Sequence, residues 1–232
     1  MIDTALLDDY YKKYGKKKVD EALNYLSYKS ADVMPKNESS DKPVMYIFRH
    51  GQTEDNANFI FSGWRDSALT DKGKEQALEL AEKIKDKKIH MLVSSPQIRS
   101  VDTMKIACSL NKDAALLEIN TDERIKERSY GVLQGKSKLE IQLENPELLL
   151  KIRRSFDYQP DEGESIKRVC ERVKSFCDEM IPLMKQHNIN IAVSCHGNSI
   201  RGFRKYFENL SDEKTATVET PLAKDYAAYT IE

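Results

Sequence analysis

Four histidines occur in the 232 residues: His50, His90, His187 and His196. Two of them share a setting, each following a short apolar run and preceding a glycine: Phe48-Arg49-His50-Gly51 and Ser194-Cys195-His196-Gly197. Short apolar runs bounded by charge read as buried strands, and ligands of open α/β sheets bind beyond the carboxyl ends of the strands. A single strand-end histidine can equally well make a structural hydrogen bond. The pairing favours chemistry, with Arg49 beside one imidazole and Asn198, Ser199 and Arg201 after the other. A neutral imidazole is a competent nucleophile near pH 7, and a covalent phosphohistidine divides one hard displacement into two easier ones. Beyond that, phosphoryl transfer needs in-line positioning and neutralisation of the equatorial oxygens. Arg49 offers a bidentate fork suited to phosphate. A third strand end, Ser94-Ser95-Pro96-Gln97-Ile98-Arg99, adds free amides at a helix start and a second fork at Arg99.

The elements that must position these groups follow from periodicity. Strands are expected at 44–48, 89–93, 189–193 and 227–231. Helices are expected from Thr70 to about Lys87, from Ser95 with Pro96 at its first position, and from about Ser165 to Gln186. Strands alternating with helices predict an α/β fold: a three-layer αβα arrangement with a mostly parallel sheet and helices on both faces. Residues 1–29 have helical periodicity and read as an N-terminal helical extension packed on the main domain; a dimer contact or a docking helix is the other use of such a stretch. Residues 30–43, poor in apolar residues and rich in Ser, Asp and Pro, read as a linker. Residues 44–232 form one catalytic domain.

Composition excludes several classes. Lysine and arginine number 37 against 38 acidic residues, a net charge of -1, which argues against nucleic-acid binding, since that needs a basic surplus. No apolar run is long enough to span a membrane, and the N-terminus carries no secretory pattern. The four cysteines (Cys108, Cys170, Cys177 and Cys195) have no metal-ligand spacing and read as buried thiols, so a cytoplasmic location is expected. Neither a P-loop nor a dinucleotide fingerprint is present.

Arg49-His50-Gly51-Gln52-Thr53, followed by Asn56 and by Ser62-Gly63-Trp64, resembles the signature of the histidine phosphatase superfamily. Three further runs sharpen the likeness: Glu127-Arg128-Ser129-Tyr130-Gly131-Val132-Leu133-Gln134-Gly135, Arg153-Arg154-Ser155-Phe156-Asp157 and His196-Gly197-Asn198-Ser199-Ile200-Arg201. Within the superfamily the chain most resembles the cofactor-dependent phosphoglycerate mutases, over roughly residues 44–208. The resemblance implies roles position by position. His50 would accept the phosphoryl group, with Arg49, Arg99 and His196 holding it and Asn56 adding a neutral donor. Glu127 would exchange the proton. Tyr130, Lys138, Arg153 and Arg154 would bind the substrate's carboxylate and distal phosphate; Ser62, Gly63, Gly197 and Asn198 complete the expected site. It implies 2,3-bisphosphoglycerate as priming donor, no metal, a small phosphorylated metabolite as partner and an optional homo-oligomer. Trp64 is expected to pack under its loop.

The chain departs from the mutase pattern at Gln52, Ser129 and Cys195, and in a Thr220-Pro221-Leu222 stretch that lacks the P-T-G form. The larger departure follows Tyr158, where Gln159-Pro160-Asp161-Glu162-Gly163-Glu164-Ser165 replaces a longer, proline-rich insertion. Such a short connection looks like the phosphatase branch, and a trimmed lid would let water reach a phosphohistidine. Three readings therefore stand: a mutase interconverting 3- and 2-phosphoglycerate, a phosphomonoesterase of a small anionic metabolite, and a non-catalytic protein that kept the fold. A metal-dependent hydrolase is disfavoured by the histidine spacing.

Overall fold

Five strands form one sheet in the computed structural model, which describes residues 4–27 and 31–232. They are β1 (Val44–Arg49), β2 (Met91–Ser94), β3 (Ile119–Thr121), β4 (Ile191–Cys195) and β5 (Tyr226–Thr230), in the order β3-β2-β4-β1-β5. All pairings are parallel except β1 with β5, which is antiparallel at the edge. β1 and β4 are buried throughout, as a sheet covered on both faces requires. Side chains alternate between two cores. Met45, Ile47, Val193 and Tyr229 enter one, while Val44, Tyr46, Phe48 and Leu92 enter the other.

Helices cover both faces and one end. They are α1 (Thr4–Tyr14), α2 (Lys16–Leu26), α3 (Glu54–Ala57), α4 (Asp71–Ile84), α5 (Ile98–Cys108), α6 (Lys138–Glu144), α7 (Pro146–Arg154), α8 (Ile166–His187), α9 (Gly197–Glu208) and α10 (Asp212–Thr217). Leu80 and Ile84 of α4 pack with Met104 and Ala107 of α5 over one face. Val169, Val173 and Phe176 of α8 pack with Ile200 and Phe203 of α9 over the other. The expected three layers are present, and the sheet is mostly parallel as expected, with one antiparallel edge strand.

A third core lies at the end of the domain. The periodic N-terminal stretch forms two helices, broken at Gly15, whose φ of 83° favours glycine. Tyr10, Val19, Ala22 and Leu26 pack there with Phe61, Leu139, Leu143, Leu149 and Ile152 of the α6–α7 region. The polar segment from residue 31 then runs along β5. Pro35 O accepts from Ala228 N at 2.8 Å, Asn37 N donates to Ala228 O at 3.0 Å, and Met34 is buried. Residues 1–3 and 28–30 of the expected extension and linker lie outside the described residues.

Several boundaries differ from expectation for identifiable reasons. Thr70 caps α4 as expected, accepting from Gly73 N, but the helix ends at Ile84, where the next turn tightens into a Lys87 N to Ile84 O bond. Ser95 does not cap α5: its own N–H is used by Ser194 O, and the helix starts at Ile98 after Gln97. The strand expected at 89–93 starts at Met91, because His90 pairs with Asn190 through both its backbone N–H and its ring Nδ1. β3, at three residues, was too short to show periodicity. α6, α7 and α9 hold residues whose types point to chemistry and show no assigned periodicity, and α10, at six residues, is too short to show one.

Candidate active site

The site is assembled where β1, β2 and β4 end. Arg49 and Cys195 are the last paired positions of β1 and β4, and His50 and His196 follow directly. His50 N–H donates to Cys195 O at 3.1 Å, which extends the ladder by one rung. The two imidazoles lie with ring centroids 5.1 Å apart and planes at 55°. Both rings are buried. His50 Nδ1 lies 2.7 Å from Gly51 O; a carbonyl only accepts, so Nδ1 carries the proton and Nε2 keeps its lone pair. Burial first, then the positive charges of Arg99 and Arg49, holds the His50 pKa well below the ordinary imidazole value. Burial, Arg99 and His50 do the same for His196. His50 is therefore a neutral nitrogen base at physiological pH.

The loop after β1 is held by backbone contact. A Cβ on Gly51 would lie 2.3 Å from Gly73 O, and one on Gly73 would lie 2.1 Å from Gln52 O. The first turn of α4 thus sits directly against the His50 loop, and Gly51 N–H donates to Thr103 Oγ1 of α5 at 3.0 Å. Arg49 Nη1 donates to Thr220 O at 3.0 Å. Arg99 enters from α5, and its two terminal nitrogens donate to Arg65 O and Gly63 O at 2.8 and 2.9 Å. Asn56 closes α3 onto itself through a capping box with Thr53.

Glu127 is buried on the opposite wall. Its Oε1 accepts from Asn198 Nδ2 at 2.8 Å and from Arg128 N at 2.7 Å. Asn198 Nδ2 also donates to Tyr130 Oη at 3.2 Å. Gln97 is a positioning residue that sequence reasoning passed over. It donates to Gly63 O and accepts from Glu127 N, tying both walls to the start of α5. Trp64 is 46% exposed and not buried under its loop as expected; its indole N–H donates to Glu127 O at 2.8 Å, and the Lys126 ammonium lies over its ring.

A second group of cations lines the same cleft. Lys138 opens α6, where its ammonium donates to Ile60 O at 2.5 Å; burial first, then Arg153 and Arg49, brings its pKa down to about 7. Arg153 and Arg154 close α7. Arg201 of α9, the last residue of the His196 motif, donates to Val218 O and Asn198 Oδ1. Arg49, His50, Asn56, Ser62, Gly63, Arg99, Glu127, Tyr130, Lys138, Arg153, Arg154, Gly197 and Asn198 line one cleft of about 90 Å³. His196 lies behind this lining, as N-cap of α9. Leu26, Phe59, Arg201 and Glu219 also line it. Leu26 comes from α2 and Arg201 from α9, while Phe59 and Glu219 come from loops far apart in sequence, where no pattern pointed to them.

The short connection after Tyr158 is locked in place. The buried Arg128 guanidinium donates to the carbonyls of Glu164, Ile152 and Tyr158. Gly131, at φ 52°, lets the backbone at Asp161 approach where a Cβ would meet its oxygen at 1.8 Å. Among the described residues no group of three or more His, Cys, Asp or Glu side chains converges as a metal site, and no helix is long and apolar enough to cross a membrane. All four cysteines are buried and free.

Comparison with known proteins agrees with this geometry. The profile of the histidine phosphatase superfamily (branch 1) matches residues 45–230. A 2,3-bisphosphoglycerate-dependent phosphoglycerate mutase from Cytophaga hutchinsonii is 33% identical over 178 residues, covering 76% of this chain and 83% of that protein. Phosphoglycerate mutase 1 of Saccharomyces cerevisiae is 30% identical over 207 residues, covering 77% and 83%. Among solved structures, a mycobacterial glucosyl-3-phosphoglycerate phosphatase in complex with VO3 has a TM-score of 0.71 at 22% identity, covering 80% of this chain and 92% of that one. A phosphoglycerate mutase from Bacillus anthracis has a TM-score of 0.63 at 19% identity, covering 82% and 94%; at these identities both share the fold. With paired strand-end histidines, two arginines lining the same cleft and a profile match over most of its length, the chain belongs to the histidine phosphatase superfamily (branch 1).

Proposed function

We propose that this chain is a phosphoglycerate mutase that interconverts 3- and 2-phosphoglycerate through a phosphohistidine at His50. One observation carries the reading: the cleft holds more cations than one phosphoryl group needs. Arg49 and Arg99 line it with His50, and Lys138, Arg153, Arg154 and Arg201 line it as well. Hydrolysis of a simple phosphomonoester needs only the first group, whereas a substrate with a second anion uses both. The short connection after Tyr158 does not count against it. The Cytophaga mutase covers 76% of this chain in 178 aligned positions, hence with almost no gaps, while the yeast enzyme takes 207 positions to cover 77%.

In this reading His50 Nε2 attacks phosphorus as the ester P–O bond breaks, and Glu127 gives its proton to the leaving oxygen. In the return step Glu127 takes the proton of the incoming hydroxyl as that oxygen attacks phosphorus. Arg49 and Arg99 neutralise the equatorial oxygens. Both ring nitrogens of His196 and Nε of Arg99 are buried without a hydrogen-bond partner among the described residues, which suits a phosphoryl group between them. Together with the distal cations, these residues fit 2,3-bisphosphoglycerate, which when bound supplies the priming phosphoryl group. A reducing cytoplasm and a small phosphorylated metabolite as partner accompany the proposal.

A second reading, a phosphomonoesterase, is favoured by one feature. A larger cavity of about 480 Å³ shares Asn56, Phe59 and Thr220 with the cleft and has room for a bulkier leaving group. Supplying 3-phosphoglycerate with and without catalytic 2,3-bisphosphoglycerate, and following products by phosphorus NMR, decides between them. The mutase reading expects 2-phosphoglycerate, dependent on the bisphosphate, and an acid-labile phosphoryl label lost in His50→Ala. Free phosphate with no 2-phosphoglycerate would sink it.

A further inference from the structure

The arginine pair that closes α7 already faces a carboxylate of this chain. Glu219, from the loop between α10 and β5, lines the cleft and forms an ion pair with Arg154; Arg153 Nη2 lies 3.7 Å from the same Glu219 oxygen. The three side chains are 17–24% exposed, enough for solvent access and far too little for full screening. Burial opposes the Glu219 charge, while Arg154, Arg201 and Arg153 favour it and leave its pKa below the ordinary value.

Glu219 is held from outside the superfamily domain. Its backbone N–H donates to Asp32 Oδ2 at 2.8 Å, and its carbonyl accepts from Asp32 N at 2.9 Å. Asp32 is itself 3.5 Å from the Lys214 ammonium of α10. It lies before residues 45–230, the part that matches the superfamily. The residue that clamps Glu219 therefore lies in the N-terminal segment outside that match, which also places Leu26 in the cleft wall.

We infer that Glu219 is a specificity-determining residue, an internal counter-anion on the Arg153–Arg154 pair that the second anionic group of a ligand must displace, and that Asp32 is its positioning residue. The inference rests on the reading above, in which that pair receives the distal anion of the substrate. Its effect is to weaken ligands that carry two anionic groups relative to those with one. The carboxylate keeps the arginines aligned when no ligand is bound, and it opposes a bound ligand's second charge by like-charge repulsion.

Calorimetric titration of the full chain with 3-phosphoglycerate and with glycerol 3-phosphate tests this, since the two differ only in a carboxylate against a hydroxymethyl group. In Glu219→Gln, the preference for 3-phosphoglycerate, read as the ratio of the two Kd values, should rise about tenfold, the scale of one partly screened charge contact. Asp32→Ala should move the ratio the same way by about threefold, because the carboxylate is loosened and not removed; it also serves if the first variant folds poorly. A ratio unchanged within about twofold in both variants, or a fall, overturns the inference. If Asp32→Ala weakens both ligands equally, its positioning role is overturned. Binding needs no turnover, so a shifted ratio without any 2-phosphoglycerate formation would discard the mutase reading and keep the counter-anion. No binding of 3-phosphoglycerate to any form would discard both.

Discussion

At the scale of single residues, the site depends on a histidine kept neutral by its surroundings. Burial and two guanidinium groups depress the His50 pKa, so His50 stays unprotonated until the pH falls below that lowered value. The acid limb of kcat/KM, which reports the free protein, should therefore lie below the ordinary imidazole value of about 6.5. Arg99→Gln removes one of the opposing charges and should move that limb upward while lowering kcat. An acid limb at or above the ordinary value in the wild type would contradict this account. Lys138 carries the opposite sensitivity. With a pKa of about 7 it is charged on the acid side and neutral on the alkaline side, so attraction for a distal anion weakens as the pH rises through neutrality. The strand-end histidines, Arg49 and Arg99 are readable from residue type and setting, and Glu127 only through the family resemblance. Glu219 and Gln97 are not. Glu219 sits in a Val-Glu-Thr-Pro stretch without periodicity and meets its arginines only through tertiary contact. Gln97 acts through two backbone hydrogen bonds that leave no pattern in sequence.

At the scale of elements, the His50 loop and the start of α4 form one object. Thr70 N and Thr70 Oγ1 bond to the backbone oxygen and side-chain oxygen of Gln52, and the glycine pair 51 and 73 lets the backbones touch. Replacing a helical glycine by alanine ordinarily stabilises a helix by about 1 kcal/mol. Gly73→Ala should do the reverse, because its Cβ would overlap Gln52 O. The expected cost is about 1–3 kcal/mol in thermal unfolding, with kcat down by up to about a hundredfold if His50 moves by ~1 Å. An alanine variant more stable than wild type and equally active would show that the loop yields freely. α4 itself is visible from its Thr70 cap and apolar stripe, and α8 from its apolar stripe, with Ser165 as the cap in the structure. The start of α5 was misplaced because Ser95 and Pro96 form a good helix start by composition, while the sheet had already claimed the Ser95 N–H.

At the scale of the molecule, the N-terminal helices share a core with the elements that carry the distal cations. Val19 is fully buried in the cluster that contains Leu26 and the α6–α7 side chains. Val19→Ala should lower Tm by roughly 5 °C and also raise KM, because α6 presents Lys138 and α7 presents Arg153 and Arg154. Ile84→Val, equally buried but in the core beneath α4 and α5, should lower Tm and leave KM unchanged. A Val19 variant with reduced Tm and unaltered KM would separate the extension from the site.

The two histidines stand one step beyond a matched pair on adjacent parallel strands, and the spacing of such strands is about 4.8 Å wherever they occur. The backbone positions that carry the two rings are thus set by sheet hydrogen bonding, while the surrounding packing sets the rings themselves, 5.1 Å apart with planes at 55°. Substitution in loops remote from these strand ends can alter which molecule arrives without moving those backbone positions. Exchanging the N-terminal segment and the loop bearing Glu219 for those of a relative is a route to new selectivity that leaves the transfer step intact.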